Sequence, residues 1–170
     1  MKSFVWGGKD LKIWTLLKYT KGTRAGKPHG GIDIGTPIGT PLYSPFNATV
    51  LAVSDGVPNN TAATKRYSGM PSNYVFLEGR LLTTFGNYQT MTLLVQHMSP
   101  GIPIKKGDRL PKGTYIGKSG NSGNSDGPHT HFGAQWVRRG TTPTKASRYD
   151  HVSNAELRIW PPTRYLPEVM

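Results

Sequence analysis

Five histidines stand in this chain, and two of them, His129 and His131, are one residue apart in Gly127-Pro128-His129-Thr130-His131-Phe132. On a β-strand, residues two apart point to the same face, about 6.5–7 Å from each other. The two imidazoles would then stand side by side over one surface. Far earlier, His29-Gly30-Gly31-Ile32-Asp33 adds another imidazole and a carboxylate. Two histidines and an aspartate are a usual nitrogen and oxygen ligand set for Zn²⁺, and three protein ligands leave the fourth position open to water. An isolated His-x-His pair is more often an ordinary surface or core feature, so the reading depends on what surrounds it.

The elements that must position these residues read as β. Gly30-Gly31 argues against a helix, since glycine costs about 1 kcal/mol in a helix interior. An extended or looped segment then delivers His29 and Asp33 to one ion, with Gly31 allowing close approach of the chain. The helical His-Glu-x-x-His pattern of many zinc proteases is absent. Thr49–Val53, Tyr74–Leu77, Met91–His97 and Tyr115–Lys118 are short β-branched or aromatic runs bounded by turn formers, and the His129–His131 strand continues to Trp136. Residues 54–73 read as a long loop of the kind that is usually functional. Gly79 to Asn87 reads as a second polar interruption, between two hairpin strands. Gly120 to Gly127 is a Gly/Asn/Ser/Asp loop that must supply tight turns.

In chain order, His29-x-Gly31-x-Asp33, Gly39-Thr40-Pro41-Leu42-Tyr43-Ser44, His97-Met98-Ser99, Gly107-Asp108, Gly117-Lys118-Ser119-Gly120-Asn121-Ser122-Gly123 and Gly127-Pro128-His129-Thr130-His131-Phe132 resemble the LytM/lysostaphin-like zinc endopeptidases, the M23 family. The resemblance runs from about Lys27 to Trp136 and takes in four of the five histidines. It implies a mostly β, single-domain fold, with an antiparallel sheet core, long loops forming a substrate groove, and little helix. It implies Zn²⁺ held by His29, Asp33 and His131, with His97 and His129 left beside the metal as the acid/base and transition-state-stabilising pair. No glutamate base stands in a motif, and a histidine titrating near 6.5 can serve either role. Which of the two does which is left open, and no substrate-binding residue is assigned. His151 matches no motif and is expected at the surface. The chain departs from the family in two places. Val95-Gln96-His97-Met98-Ser99 replaces the usual Tyr-Ala-His-Leu-Ser, and Gly133 stands where a glutamate is common.

Composition bounds the rest. At 170 residues the chain suits one domain with its own core. Residues 1–28 read as an irregular N-terminal arm packed on the domain, 29–136 as the zinc peptidase core, and 137–170 as a basic, Pro-rich extension. In the extension, Ser153-x-x-Glu156 could open one short helix. Cysteine is absent, which rules out disulfides and thiolate zinc sites. Twenty-one Lys+Arg against nine Asp+Glu give +12, a charge that favours polyanions. The basic residues are scattered rather than lined along a helix, which fits anionic cell-wall polymers better than a specific nucleic-acid partner. No window reaches the roughly 18 apolar residues of a membrane span. The first residues lack the apolar run of about 7–15 found in a signal peptide. That start favours a bacteriophage lysin or tail-associated hydrolase, in the host cytoplasm before release or on the virion, with a fragment of a secreted protein as the alternative.

The implied reaction is zinc-assisted hydrolysis of a peptide bond in peptidoglycan, stem or cross-bridge, by a monomer. The competing expectation is a catalytically inactive wall-binding or activator module of a phage particle. An unrelated nucleic-acid-binding β-domain is a third, and it would bind DNA in a salt-sensitive, zinc-independent way.

Overall fold

The β-branched and aromatic runs become strands, and the order in which they pair decides where the histidines meet. The computed structural model describes residues 3–6, 9–15, 31–67, 69–82 and 88–136. Ten strands are present there: β1 (Ser3–Trp6), β2 (Lys9–Thr15), β3 (Ile32–Gly35), β4 (Pro41–Tyr43), β5 (Ala48–Ser54), β6 (Asn73–Leu82), β7 (Tyr88–Met98), β8 (Arg109–Leu110), β9 (Tyr115–Lys118) and β10 (Thr130–Trp136). Eight form one sheet in the order β1-β2-β3-β10-β7-β6-β5-β8, with β4 and β9 making a second, two-stranded sheet. The pairings are antiparallel. No helix occurs among the described residues, so none there is long and apolar enough to cross a membrane.

Alternation along the central strands gives the large sheet a face that carries the main apolar cluster, with Phe76 and Leu94 buried on the other. Val75, Val95 and Phe132 follow one another across β6, β7 and β10, and Leu77, Leu93 and Ala134 form the next row. All six belong to the buried core, together with Leu42 and Ile116 of the small sheet. The small sheet therefore covers that face. Residues one step out of phase, including Asp33, His131, Gln96 and Tyr74, point the other way.

Two expectations are corrected. Residues 1–28 are not wholly irregular, because Ser3–Trp6 and Lys9–Thr15 are strands that extend the sheet beyond β3. Their glycine-rich surroundings hid this from pattern reading. Gly79 to Leu82 do not interrupt the hairpin but continue β6, with Gly79 opposite Met91 and Leu82 opposite Tyr88. Glycine stands at position 79 because the Phe46 ring packs on its backbone. A Cβ there would sit 2.4 Å from Phe46 Cδ2 and 2.8 Å from the Asn47 carbonyl oxygen. The long-loop expectation agrees with the irregular path of residues 55–67 and 69–72. Residues 16–30, which include His29, and 137–170, with His151 and the Ser153–Glu156 pattern, lie outside the described residues.

Overpacking a filled core costs about 1–3 kcal/mol. Gly79→Ala should lower the denaturant midpoint by a stability loss of that size, with the slope of the transition unchanged.

Candidate functional site

Asp33 and His131 are brought together by strand register. β3 and β10 pair antiparallel with His131 directly opposite Asp33, and side chains so placed lie on one face with Cβ atoms about 4.5–5.5 Å apart. His131 Nδ1 and Asp33 Oδ1 are 2.8 Å apart, a hydrogen bond when Nδ1 carries the proton. The two strands can approach so closely because position 31 has no side chain. A Cβ on Gly31 would stand 2.2 Å from the Phe132 carbonyl oxygen and 2.9 Å from His131 Nε2. Sequence reading gave this glycine to the approach of chain to ion; in the structure it serves the approach of chain to strand.

His129 precedes β10 and shares the face of His131. Its Nε2 lies 3.6 Å from the same Asp33 oxygen. Its Nδ1 is 2.8 Å from the Gly127 carbonyl oxygen and 3.1 Å from Ser125 Oγ. A carbonyl oxygen only accepts, so Nδ1 is the donor, and neutral His129 turns the lone pair of Nε2 toward Asp33. Ser125 is itself held by donating to Asn121 Oδ1 at 2.7 Å.

His97 arrives by a different device. Strict alternation along β7 would leave it on the core side with Leu93 and Val95. The register between β6 and β7 instead shifts: Tyr74 pairs with Gln96 and Asn73 with Met98, so His97 is an extra residue. Its φ of 63° is the left-handed conformation, rare for a residue with a side chain. Such a bulge re-aims a side chain. Met98 takes the buried place, and the His97 ring stands 4.6 Å from His129 and 6.3 Å from His131 between centroids. His97 Nδ1 donates to the Ser122 carbonyl oxygen at 2.8 Å, which again leaves Nε2 as the acceptor. Burial, and then the neighbouring His129, lower the His97 pKa from 6.5 to about 4. It is a neutral base at pH 7.

The loop carrying Ser122 and Ser125 is braced by the long loop before β6. Asn60 Nδ2 donates to the Gly123 carbonyl oxygen at 2.6 Å, Asn121 N donates to Asn59 Oδ1 at 2.7 Å, and Ser122 Oγ donates to the Met98 carbonyl oxygen at 2.8 Å. Sequence reading missed Asn59, Asn60, Ser122 and Ser125 as supports. Their only signal was the density of Asn and Ser in two stretches with no periodicity.

Asp33 Oδ1, His131 Nδ1 and His129 Nε2 thus converge as electron-rich atoms, and stable juxtaposition requires a proton or a cation among them. Donors bound to one tetrahedral zinc at about 2.0–2.1 Å are about 3.3 Å apart. Asp33 Oδ1 and His131 Nδ1, 2.8 Å apart, would have to part by only about half an ångström, so this pair fits a metal in the place of the proton, with His129 Nε2 beside it at 3.6 Å from Asp33. His29, the remaining ligand expected from sequence, lies outside the described residues.

The His97 shift carries a stability consequence. Its folded pKa is below the unfolded value, so the unfolded chain takes up the proton first. The stability tied to neutral His97 is complete above pH 6.5 and is lost as pH falls toward 4, at most about 3 kcal/mol. Metal-free protein should therefore weaken over that window in denaturant titrations. His97→Asn should flatten the dependence, because asparagine tolerates the left-handed backbone and can still offer an N–H to Ser122.

Comparison with known proteins agrees with this geometry. The profile of Peptidase family M23 matches residues 27–144. The peptidoglycan DD-endopeptidase ShyA of Vibrio cholerae is 35% identical over 111 residues, which is 65% of this chain and 21% of that protein. The chain therefore spans about a fifth of the length of this curated relative. Among solved structures, the catalytic domain of lysostaphin from Staphylococcus simulans superposes with a TM-score of 0.53 at 22% identity, over 75% of this chain and 82% of that one. A zinc containing peptidase from Vibrio cholerae superposes with a TM-score of 0.53 at 25% identity, over 74% of this chain and 34% of that one. With the profile matched over well over half its length, the chain belongs to Peptidase family M23.

Proposed function

We propose that this protein is a zinc-dependent endopeptidase that hydrolyses peptide bonds in bacterial peptidoglycan. The observation that carries the reading is the convergence of the Asp33 carboxylate with three imidazoles on one face of the sheet, in a chain of this family. The peptidoglycan DD-endopeptidase activity for which ShyA is named, and the zinc of the peptidase from Vibrio cholerae, support the substrate and the metal. Asp33, His131 and His29 are the residues assigned to hold zinc. When bound, zinc supplies a Lewis acid that polarises the scissile carbonyl and acidifies the attacking water.

The chain's own residues do the remaining work. His97 and His129 each have Nδ1 tied to a backbone carbonyl, so each offers only Nε2 to the reaction. One takes the proton of the attacking water. The other, when protonated, donates to the oxyanion or to the leaving amine. Their rings are 4.6 Å apart, close enough for both to act on one scissile bond. The carbonyl anchors hold both rings before substrate arrives, so their orientation costs nothing during the reaction.

The reading takes 29–136 as the catalytic core and 137–170 as an extension, acting as a monomer at the cell wall. The +12 charge supports attraction to anionic wall polymers. The inactive-module alternative is disfavoured by the same cluster, since Asp33, His97, His129 and His131 are all filled with side chains able to do chemistry.

Three substitutions separate the roles. Asp33→Ala or His131→Ala should leave purified protein with little zinc by elemental analysis and remove the rise in melting temperature that zinc gives the wild type. His129→Ala should keep stoichiometric zinc while peptide hydrolysis falls about 10²–10⁴-fold. Full zinc occupancy in both ligand variants would overturn the ligand assignment, and wild-type turnover in His129→Ala would remove that residue from the chemistry.

A further inference from the structure

The reactive face of the sheet continues past His131 along one row. Gln96 on β7 is directly opposite His131 on β10, and Tyr74 on β6 is directly opposite Gln96. Pairing puts all three side chains on the same face, so Gln96 is the next side chain to the proposed metal site along the sheet floor. It is half-buried. It is also a departure of this chain from the family's usual segment before His97, where a small alanine commonly stands.

The Gln96 amide is held in one orientation. Its Nε2 donates to Ser72 Oγ at 2.7 Å, and Ser72 is buried at the end of the long loop. That serine is pinned in turn by Gly123 of the loop that anchors His97. The Gly123 backbone packs so closely that a Cβ there would sit 2.4 Å from Ser72 Cβ. A primary amide has two donors and a carbonyl oxygen. Ser72 uses one donor, and among the described residues Gln96 makes no other side-chain hydrogen bond. One N–H and Oε1 remain, which is the complement of a peptide group. A half-buried amide fixed by a buried hydroxyl has already lost its rotamer freedom, so pairing with a ligand costs less.

We infer that Gln96, oriented by Ser72, is a positioning residue that pairs with one peptide group of the substrate beside the scissile bond. This rests on the peptidase reading. It makes the sheet floor a determinant of which cross-linked peptide binds.

The test uses zinc-loaded protein and a soluble cross-linked muropeptide. Gln96→Met keeps the length and volume of the side chain and removes both hydrogen-bonding functions. It should raise KM about 3- to 10-fold, the worth of one or two neutral hydrogen bonds, with kcat within about twofold and zinc content and melting temperature unchanged. Ser72→Ala, which frees the amide, should raise KM less. An unchanged KM in Gln96→Met overturns the proposal, as does a loss of zinc or of melting temperature that accounts for the whole effect. If the zinc-loaded wild type does not turn the peptide over, the hydrolytic reading has failed. Titrating the same peptide then reads Gln96 separately: a Kd raised about 3- to 10-fold in Gln96→Met supports it, and equal Kd values overturn it.

Discussion

The pairing of β3 with β10 is the constraint on which the site depends. Because side chains alternate along a strand, a slip of one residue would send Asp33 into the apolar core and Ile34 out to the reactive face. Several contacts oppose that slip. Ile34 and Phe132 are committed to the core. Thr36 Oγ1 and Thr130 Oγ1 share a buried hydrogen bond at 2.9 Å at one end of the pairing. Gly31 at the other end admits the Phe132 carbonyl where any side chain would collide. The carboxylate and the imidazole therefore meet at 2.8 Å as a result of register, without either side chain having to search for the other.

Around this fixed pair, the other two imidazoles are delivered by irregular backbone. His97 stands on a bulge in the left-handed conformation and His129 just before a strand begins. Each is locked through Nδ1 to a carbonyl oxygen of the same Gly/Asn/Ser loop. A loop so rich in small polar residues would be mobile if left alone. Here it is tied to Asn59 and Asn60 of the long loop and to the end of β7. Burial then keeps His97 neutral. The sheet supplies position, the loops supply tautomer, and desolvation supplies protonation state.

Much of this was legible in the sequence, for identifiable reasons. Val50, Val75, Leu93 and Val95 announce central strands because β-branched and aliphatic residues on a two-residue period have few other ways to be buried. The His129-x-His131 spacing fixed a shared face before any partner was known. The bulge at His97 was not legible, because histidine carries no backbone signature of positive φ and the extra residue shows only in the register of two strands distant in sequence. Gly79 was read as the start of a polar interruption because a glycine serving close packing against Phe46 looks the same in one dimension as a glycine that ends a strand. The strands Ser3–Trp6 and Lys9–Thr15 were hidden among glycines for a similar reason. The Asn and Ser braces have no period to betray them; only their partners, some sixty residues away in sequence, reveal what they do.

The most direct measurement is digestion of purified bacterial cell walls with the zinc-loaded protein, with and without chelator, followed by mass spectrometry of the released fragments. The account predicts chelator-sensitive release of peptides with new amino and carboxyl termini, and those termini identify the bond. Intact walls after incubation with protein shown to contain zinc, across walls of different cross-bridge chemistry, would contradict it.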